Sequence, residues 1–371
     1  MEKFVFKNNR KLRKGITTGT CAAAAAKGAA LLLLFDIRSE CVKVTLPEGE
    51  KVNIQLKSLS KQGNTAICTV VKDSGDDPDV TDRAEIEANV KICDTVPETA
   101  FNKGNIYIEG GKGVGRVTKK GLEQNIGQAA INKVPREMIY KAVEDVCCRA
   151  DIKDRLIVTI SVPQGEKIAL DTFNEKLGIK GGISILGTKG IVEPMSERAI
   201  IDTIEAEIRQ LSLNGVKDIV ITPGNYGERY VKEYLKYPVE SVKCSNFIGE
   251  TLDIAVFYGV KDIVFAGNMG KLVKVAGGIM NTHSKTADGR GEIFALYALL
   301  AGAERKTAIE ILNCINTDEM LDICSKAGVM EAVVESIIDK IYDKMRERVK
   351  YKVGIRLMVF SERYGLLGIR G

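Results

Sequence analysis

The spacing of hydrophobic positions in the first 150 residues predicts a mixture of strands and few helices. Residues 17–35 are rich in Ala and Leu and open on threonines, which predicts a capped helix that is buried on nearly all sides. Apolar and polar residues alternate over 42–46 and 51–56, as in a β-hairpin. We therefore expect an α+β domain over residues 1–150. Its remaining predicted elements are strands at 65–71, 84–90 and 105–108 and a helix at 135–150.

The pattern changes near residue 151 to short apolar strands that alternate with helices. Such strands, bounded by Gly and Pro, are typical of a parallel sheet with helices on both faces. We therefore expect a doubly wound, three-layer, Rossmann-like α/β domain over residues 151–350, which makes the fold class α/β overall. Ligands of such sheets bind beyond the carboxyl ends of the strands. The predicted elements are strands at 155–162, 217–222 and 261–266, a helix at 196–211 and one or two helices over 327–349.

The C-terminal residues 351–371 carry one more alternating apolar pattern, over residues 353–359. We expect this segment to form a last strand that packs back on the body of the protein.

Composition and charge narrow the class of protein. Of 371 residues, 45% are hydrophobic and 6% are aromatic, and the net charge is +5. This mild positive bias suits an anionic small molecule, whereas nucleic-acid binding favours a concentrated basic face with aromatic residues. We expect no nucleic-acid or membrane partner, since no run reaches the roughly 20 apolar residues of a spanning helix. A homodimer remains open.

The cysteines and the N-terminus favour a cytoplasmic protein. Nine cysteines without a C-x-x-C pair predict reduced thiols rather than a disulfide framework or a zinc ribbon. The basic and then apolar start imitates a secretory leader, but Lys27 and Gly28 divide the apolar run and its small residues precede the leucines.

Two segments each allow a functional and a structural interpretation. The threonines and backbone N–H groups at the start of the helix at 17–35 can bind an anion or can simply cap a buried helix. The acidic residues 73–82 resemble a cation site, yet they lack the spacing of a calcium loop and suit a solvated turn better. We expect no metal site in the protein.

Two glycine-rich segments are candidate ligand loops. Residues 109–122 lack the phosphate-loop pattern, but their N–H and Lys groups can meet substrate carboxylates. Residues 178–195 fall between the first strand and the first helix of the expected second domain, where a nucleoside would bind.

His283 is the only histidine of the chain. Its polar, glycine-punctuated surroundings over residues 268–290 suit a general base or a substrate ligand, and a structural role is equally compatible. Chemistry that requires two histidines is excluded.

Seven strings together resemble the cobalt-precorrin-5B C1-methyltransferases, often called CbiD. In chain order they read GITTGTCAAAAAK, VKDSGDDPDVT, EGGKGVGRVT, AINKVPREMI, LGIKGGISILGTKGIVEPMS, CSNFIGETLD and GKLVKVAGGIMNTHSKTAD. They run from about residue 11 to 290, and their common order makes the resemblance specific.

The resemblance implies transfer of a methyl group from S-adenosylmethionine to C1 of cobalt-precorrin-5B, which gives cobalt-precorrin-6A in anaerobic cobalamin biosynthesis. Cobalt then arrives within the substrate. We expect S-adenosylmethionine to bind Gly181, Gly182, Gly187, Thr188, Gly190, Thr222, Gly224 and Gly267. We expect the corrinoid carboxylates to bind Thr17, Thr18, Thr20, Lys27, Lys112, Arg116, Lys271 and Lys285. The candidate acid–base groups are His283 and Asp288.

The chain departs from the family pattern at two places. Asn268 or Met269 stands where family members usually carry a histidine, and Asp82-Arg83 replaces a more usual His-Gly. The first change makes that position ligand-shaping at most, and the second leaves His283 as the one possible histidine base.

Three other functions compete with this interpretation. A nicotinamide-dependent reductase would share the doubly wound domain, but the G-x-G-x-x-G pattern is missing after its first strand. A nucleic-acid-binding protein requires the basic face discussed above. A non-catalytic corrinoid carrier would share the substrate groove and remains an alternative.

Overall fold

The computed structural model describes residues 4–7, 10–235 and 240–371. The chain divides into two compact units, Met1–Glu197 (unit 1) and Arg198–Gly371 (unit 2). This division differs from the boundary expected at residue 150. The physical reason is strand pairing, because the strand at Leu156–Ser161 forms its ladders with strands of unit 1.

Unit 1 combines strands with two long helices. Its elements are β1 (Phe4–Lys7), β2 (Arg10–Arg13), β3 (Gly15–Ile16), α1 (Thr18–Phe35), β4 (Cys41–Thr45), β5 (Lys51–Gln55), β6 (Ser58–Gln62), β7 (Thr65–Val71), β8 (Glu85–Ile92), β9 (Phe101–Lys103), β10 (Ile106–Gly110), β11 (Gly113–Val114), β12 (Arg116–Val117), α2 (Lys133–Ala150), β13 (Leu156–Ser161), α3 (Gly165–Ala169), β14 (Ile179–Lys180), β15 (Gly182–Ile183) and β16 (Ile191–Val192). The predicted hairpin, strands and helices of residues 1–150 are confirmed.

A six-stranded sheet in the order β6-β7-β8-β13-β10-β9 forms the centre of unit 1. Helix α1 packs between this sheet and α2, which explains why its apolar residues extend around the whole helix. Thr17 caps its start, since its hydroxyl accepts a hydrogen bond from the Thr20 N–H. By length and composition α1 is apolar enough to cross a membrane, yet 78% of that stretch is buried inside the protein.

Unit 2 alternates strands and helices, as its sequence predicts. Its elements are α4 (Glu197–Leu213), β17 (Asp218–Thr222), α5 (Asn225–Leu235), β18 (Ser241–Lys243), α6 (Ile248–Phe257), β19 (Asp262–Asn268), α7 (Met269–Ala276), α8 (Arg290–Leu300), α9 (Arg305–Leu312), α10 (Thr317–Lys326), α11 (Met330–Arg348), β20 (Gly354–Ser361) and β21 (Gly365–Arg370).

The unit 2 sheet has the order β18-β17-β19-β20-β21, with β21 antiparallel to the four parallel strands. One face packs on a large core with α4, α6 and α7 to α11, and the other packs on α5 through Val231. The expected three-layer α/β architecture is thus present, with most of the helices on one side.

The C-terminal segment differs from the expectation in one respect. Strand β20 pairs with β19 inside the sheet, and β21 follows it as the edge strand. Residues 351–371 are therefore part of unit 2 rather than a strand that packs onto it from outside. The alternating pattern located β20 correctly, but pairing partners depend on residues about 90 positions away in sequence.

Candidate active site

The sheet of unit 2 has a switch point between β17 and β19. From β17 the chain moves to β18 on one side, and from β19 it moves to β20 on the other. A crevice forms beyond the carboxyl ends of two such strands, where open α/β sheets bind ligands. Thr222 ends β17, and Asn268 ends β19.

Thr222 and Gly224 have the properties of ligand-facing residues at this edge. Thr222 is fully buried, and its Oγ1 has no hydrogen-bond partner among the described residues. Buried hydroxyls are ordinarily bonded, so an orphan invites a ligand or an ordered water. A Cβ added at Gly224 would meet no atom within 4 Å, which means that the backbone here borders open space.

Gly267 differs from these two residues. It lies within β19, and a Cβ there would come within 2.9 Å of the Leu272 side chain. The structure therefore places Gly267 in helix–strand packing, and the expectation that it borders the cofactor is not supported.

Asn268, one of the residues at which the chain departs from the resemblance, caps helix α7. Its Oδ1 accepts a hydrogen bond from the Gly270 N–H at 2.7 Å. The side chain thus satisfies a free N–H at the helix start, a task that asparagine performs well. Met269 is fully buried and belongs to the core.

Lys271 follows in the first turn of α7 and is partly buried. Burial lowers the pKa of Lys271, and the nearby ammonium of Lys274 lowers it further. A partly desolvated cation of this kind gains most when it meets an anionic ligand.

His283 is held in a tight turn beside the same edge. Its N–H donates to Asn281 Oδ1 at 3.1 Å, and its carbonyl accepts from the Thr286 N–H at 2.9 Å. Its Nδ1 accepts a hydrogen bond from the Lys285 N–H at 3.1 Å. A neutral ring with Nδ1 as acceptor carries its hydrogen on Nε2, so in this arrangement His283 offers an Nε2–H donor.

Asp288 anchors the end of this turn. Its oxygens accept two hydrogen bonds from the Arg290 guanidinium, both at 2.8 Å, and one lies 3.9 Å from the Lys274 ammonium. The bonds to Arg290 lower the pKa of Asp288 to about 2. A carboxylate this acidic is a poor proton acceptor, so the expectation of an acid–base role for Asp288 is not supported.

The turn after β18 connects these residues along the carboxyl edge of the unit 2 sheet. The Cys244 N–H donates to the Thr222 carbonyl at 2.9 Å. The Thr282 N–H in turn donates to the Asn246 carbonyl at 2.9 Å. Lys271 interacts electrostatically with the same Cys244. Thr222, Lys271 and His283 therefore lie in one region of unit 2, and Gly224 and the exposed Lys285 follow two residues after Thr222 and His283.

The threonines at the start of α1 are bonded within unit 1. Thr20 Oγ1 donates to the Gly190 carbonyl at 2.6 Å, and Thr18 Oγ1 donates to the Leu186 carbonyl at 3.1 Å. The N–H groups of Thr17 and Gly19 donate to the same two carbonyls. The structure thus favours the capped, buried helix over the anion site, because the 186–190 loop occupies the helix start.

Gly187 and Gly190 serve this contact. Gly187 has φ +137°, and a side chain there would overlap Thr17. A Cβ at Gly190, where φ is +78°, would lie 2.9 Å from Thr20 Oγ1. The loop of residues 178–195 was expected in the second domain but lies in unit 1. Thr222 and Gly224 belong to unit 2. Thr188 and Gly181 are exposed in this loop.

The glycine-rich segment at 109–122 is part of the unit 1 framework. A side chain at Gly182 would overlap the backbone of Gly113, its pairing partner in β11, and a side chain at Gly113 would overlap the carbonyl of Val162. Arg116 Nη1 lies 2.8 Å from Glu109 Oε1, and Glu109 is buried. The guanidinium therefore neutralises an internal carboxylate, whereas Lys112 is exposed.

Lys27 also has an internal partner, since its ammonium lies 3.6 Å from Asp145 Oδ2 on α2. This ion pair joins the two long helices of unit 1, and the expected substrate contact is not supported.

A residue that sequence reasoning missed explains the acidic turn at 73–82. Lys72 is 1% exposed, and its ammonium donates to Ser74 Oγ and, at 2.7 Å, to Asp79 Oδ2. The turn is not a plain solvated loop, because a buried side-chain cation holds it. The lysine that directly precedes the acidic run was the available indication.

The protein is thus a two-unit α/β protein whose second unit is doubly wound. Two family models match the chain, CbiD over residues 5–194 and the CbiD C-terminal domain over residues 281–371. The chain therefore belongs to the CbiD family.

Curated relatives extend this similarity over almost the whole chain. The cobalt-precorrin-5B C(1)-methyltransferase of Ruminiclostridium cellulolyticum is 46% identical over 98% of this chain and 92% of its own length. The protein of the same name from Treponema denticola is 41% identical over 99% of both chains. A crystal structure of the cobalamin biosynthesis protein CbiD from Archaeoglobus fulgidus matches 78% of this chain and 88% of its own at 29% identity, with a TM-score of 0.42.

Proposed function

We propose that this chain is a methyltransferase that transfers the methyl group of S-adenosylmethionine to C1 of cobalt-precorrin-5B, giving cobalt-precorrin-6A in anaerobic cobalamin biosynthesis. The observation that carries this proposal is the identity of 41–46% with enzymes of that printed name over 98–99% of this chain. Similarity of this extent includes both units, so it covers every candidate site described above.

In this reaction the main task of the protein is to position the two reactants. The sulfonium methyl group is already activated, so the main task is to hold the ring carbon in line with it. Cobalt belongs to the substrate in this proposal, and the ring arrives with several carboxylates for the protein to bind.

We place S-adenosylmethionine at the switch point of the unit 2 sheet. The orphaned Thr222 hydroxyl offers a hydrogen-bonding group, and the open backbone at Gly224 offers space. Helix α5 begins at Asn225 directly after them, as in other doubly wound sheets that bind nucleosides. Gly181 and Thr188 lie in unit 1 and stay predictions from the sequence.

We place carboxylates of the corrinoid beside Lys271, Lys285 and His283. Two ammonium groups and an Nε2–H donor on one region suit anionic substituents. Lys112 remains a candidate carboxylate ligand of unit 1 because it is exposed.

The proposal is tested by anaerobic incubation with methyl-labelled S-adenosylmethionine and cobalt-precorrin-5B, followed by mass spectrometry and localisation of the label. Label at C1 is the expected result. Tight corrinoid binding without transfer would indicate the carrier, and a melting temperature raised by a nicotinamide cofactor rather than by S-adenosylmethionine would indicate the reductase.

We also propose a cytoplasmic homodimer. The buried position of α1 leaves it little surface for a membrane. Exposed apolar residues on α8, on α9 and at Ile315 just after α9 support self-association, and we call this set the α8–α9 face. Its residues, between 46% and 83% exposed, are Leu296, Leu299, Leu300, Ile309, Leu312 and Ile315.

A further inference from the structure

Lys274 is a buried cation in an otherwise apolar stretch of α7. It is 3% exposed, and its neighbours Val273 and Val275 are fully buried. An ammonium loses its hydration when it is buried, and only charge pairing and hydrogen bonds offset that loss. Since methionine or leucine would pack here without this cost, the ammonium has a use other than helix packing.

The partners of Lys274 bracket the turn that contains His283. Its Nζ donates to the carbonyl of Thr282 at 3.3 Å and to the carbonyl of Ala287 at 3.0 Å. It also lies 3.9 Å from Asp288 Oδ1, which Arg290 holds in place. One ammonium therefore connects both ends of the turn to helix α7.

The turn between Thr282 and Ala287 sets the orientation of the His283 imidazole. The backbone of His283 is held by Asn281 Oδ1 and by the N–H of Thr286, and Nδ1 by the N–H of Lys285. The ring is only partly buried, and its Nε2–H is the remaining donor. The cations Lys271 and Lys285 in the same region favour an anionic acceptor for it.

We propose that Lys274 is a positioning residue that orders the 281–290 loop so that His283 presents its Nε2–H to a carboxylate of the substrate. The nature of the acceptor rests on the function proposed above. The ordering of the loop and of the ring by Lys274 does not.

The first test uses the only histidine of the chain, whose imidazole nitrogens give a single set of NMR signals in protein with ¹⁵N-labelled histidine. With the ring neutral, we expect the wild type to show one tautomer, with a pyridine-type Nδ1. In Lys274→Met we expect averaged nitrogen shifts and at least about tenfold faster amide exchange over residues 281–290, because the turn loses its central donor. Unchanged shifts and exchange in Lys274→Met would overturn the proposal.

Two further variants keep this test interpretable. Lys306→Met removes an exposed lysine of α9 and is expected to leave the histidine signals unchanged. Lys274→Gln retains a hydrogen-bond donor and is expected to restore part of the single tautomer. It also serves as the variant of choice if Lys274→Met fails to fold.

The second test is a double-mutant cycle in methyl transfer. We expect Lys274→Met and His283→Ala each to lower kcat/KM about 10–100-fold, mainly through KM, and the double variant to be no worse than the poorer single one. Additive losses would show that Lys274 acts independently of His283. Full activity of His283→Ala would overturn the substrate contact, whereas a wild type without methyl transfer would refute the proposed function and leave the NMR result standing.

Discussion

Single residues decide which groups of this protein are available to a ligand. The buried and partly buried lysines of this protein have different roles. Lys72 and Lys274 are engaged by internal carbonyls, hydroxyls and carboxylates, whereas Lys271 is partly buried near Cys244. The type of residue alone does not distinguish these cases, because desolvation and partners determine what each charge does.

Replacement of Lys271 by methionine should separate binding from stability. The folded protein holds the ammonium at a desolvation cost, so Lys271→Met is expected to keep or slightly raise the melting temperature. We expect kcat/KM to fall about 10–100-fold, chiefly through KM, since a charge-assisted hydrogen bond to substrate is lost. Steady-state kinetics and thermal melting measure both effects. Lys306→Met is the control, and unchanged KM in Lys271→Met would remove Lys271 from the site.

The pair of Lys72 and Asp79 predicts an acid-sensitive unit 1. Although burial of Asp79 acts to raise its pKa, the Lys72 ammonium and the bonds from Thr81 outweigh this and lower it. The stability from this pair is therefore present above the ordinary carboxyl pKa of about 3.9 and is lost as pH falls below it. Denaturant titrations from pH 7 to pH 3 should show this loss.

Asp79→Asn tests the same pair directly. Because it leaves the Lys72 ammonium buried without its carboxylate, we expect the free energy of unfolding of unit 1 to fall by about 3–5 kcal/mol at pH 7. Below pH 4 the difference from wild type should shrink. A variant with Asp145→Asn, which affects the more exposed pair with Lys27, should lose far less. Equal losses in the two variants would contradict this account.

Among the elements, the order of strands matters more for function than the strands themselves. The parallel strands β17 and β19 create the crevice because their connections leave on opposite sides. Helix α7 then carries Lys271 and Lys274 three residues apart, and Lys271 lies near Cys244 while Lys274 holds the His283 turn.

Gly224→Leu tests the crevice as the cofactor site. A side chain at this position meets open space, so the fold should tolerate it, while the leucine would occupy the volume assigned to S-adenosylmethionine. We expect the Kd for S-adenosylmethionine, measured by calorimetry, to rise at least about tenfold with a melting temperature close to wild type. Gly291→Ala on α8, where a Cβ makes ordinary contacts, is the control. Wild-type affinity in Gly224→Leu would place the cofactor elsewhere.

For the whole molecule, the α8–α9 face is the surface that most needs a partner. Its exposed apolar area is on the order of 600 Å² per protomer, at the upper end of patches on monomers and close to the roughly 800 Å² per partner of a stable interface.

Leu300→Glu should dissociate this dimer. Leu300 is 72% exposed, so the monomer fold should tolerate the change, whereas the interface would bury an unpaired carboxylate. Analytical ultracentrifugation is expected to show a wild-type dimer and a variant that is monomeric at the same concentration. Phe257→Glu, at a 79% exposed position of α6, should remain dimeric. A monomeric wild type, or a dimer that Leu300→Glu leaves intact, would refute the assignment.

The amino-acid sequence by itself determined the elements with strong periodicity and the family. Helices α1 and α2, the hairpin β4–β5 and strands β17 and β19 follow from patterns within single segments. Burial on one face or all faces leaves a local record of this kind in the sequence. The family likewise follows from ordered strings that need no three-dimensional information.

Only the tertiary structure decided which chemical groups are free to act. The Thr20 hydroxyl donates a hydrogen bond to the carbonyl of Gly190, 170 residues away, and the Lys72 ammonium is paired with Asp79 inside its own turn. Strand β13 looks like the first strand of a second domain until its partners place it in unit 1. Hydrogen bonds and ion pairs between distant segments leave no periodic pattern, so their outcome depends on the packing of the whole unit.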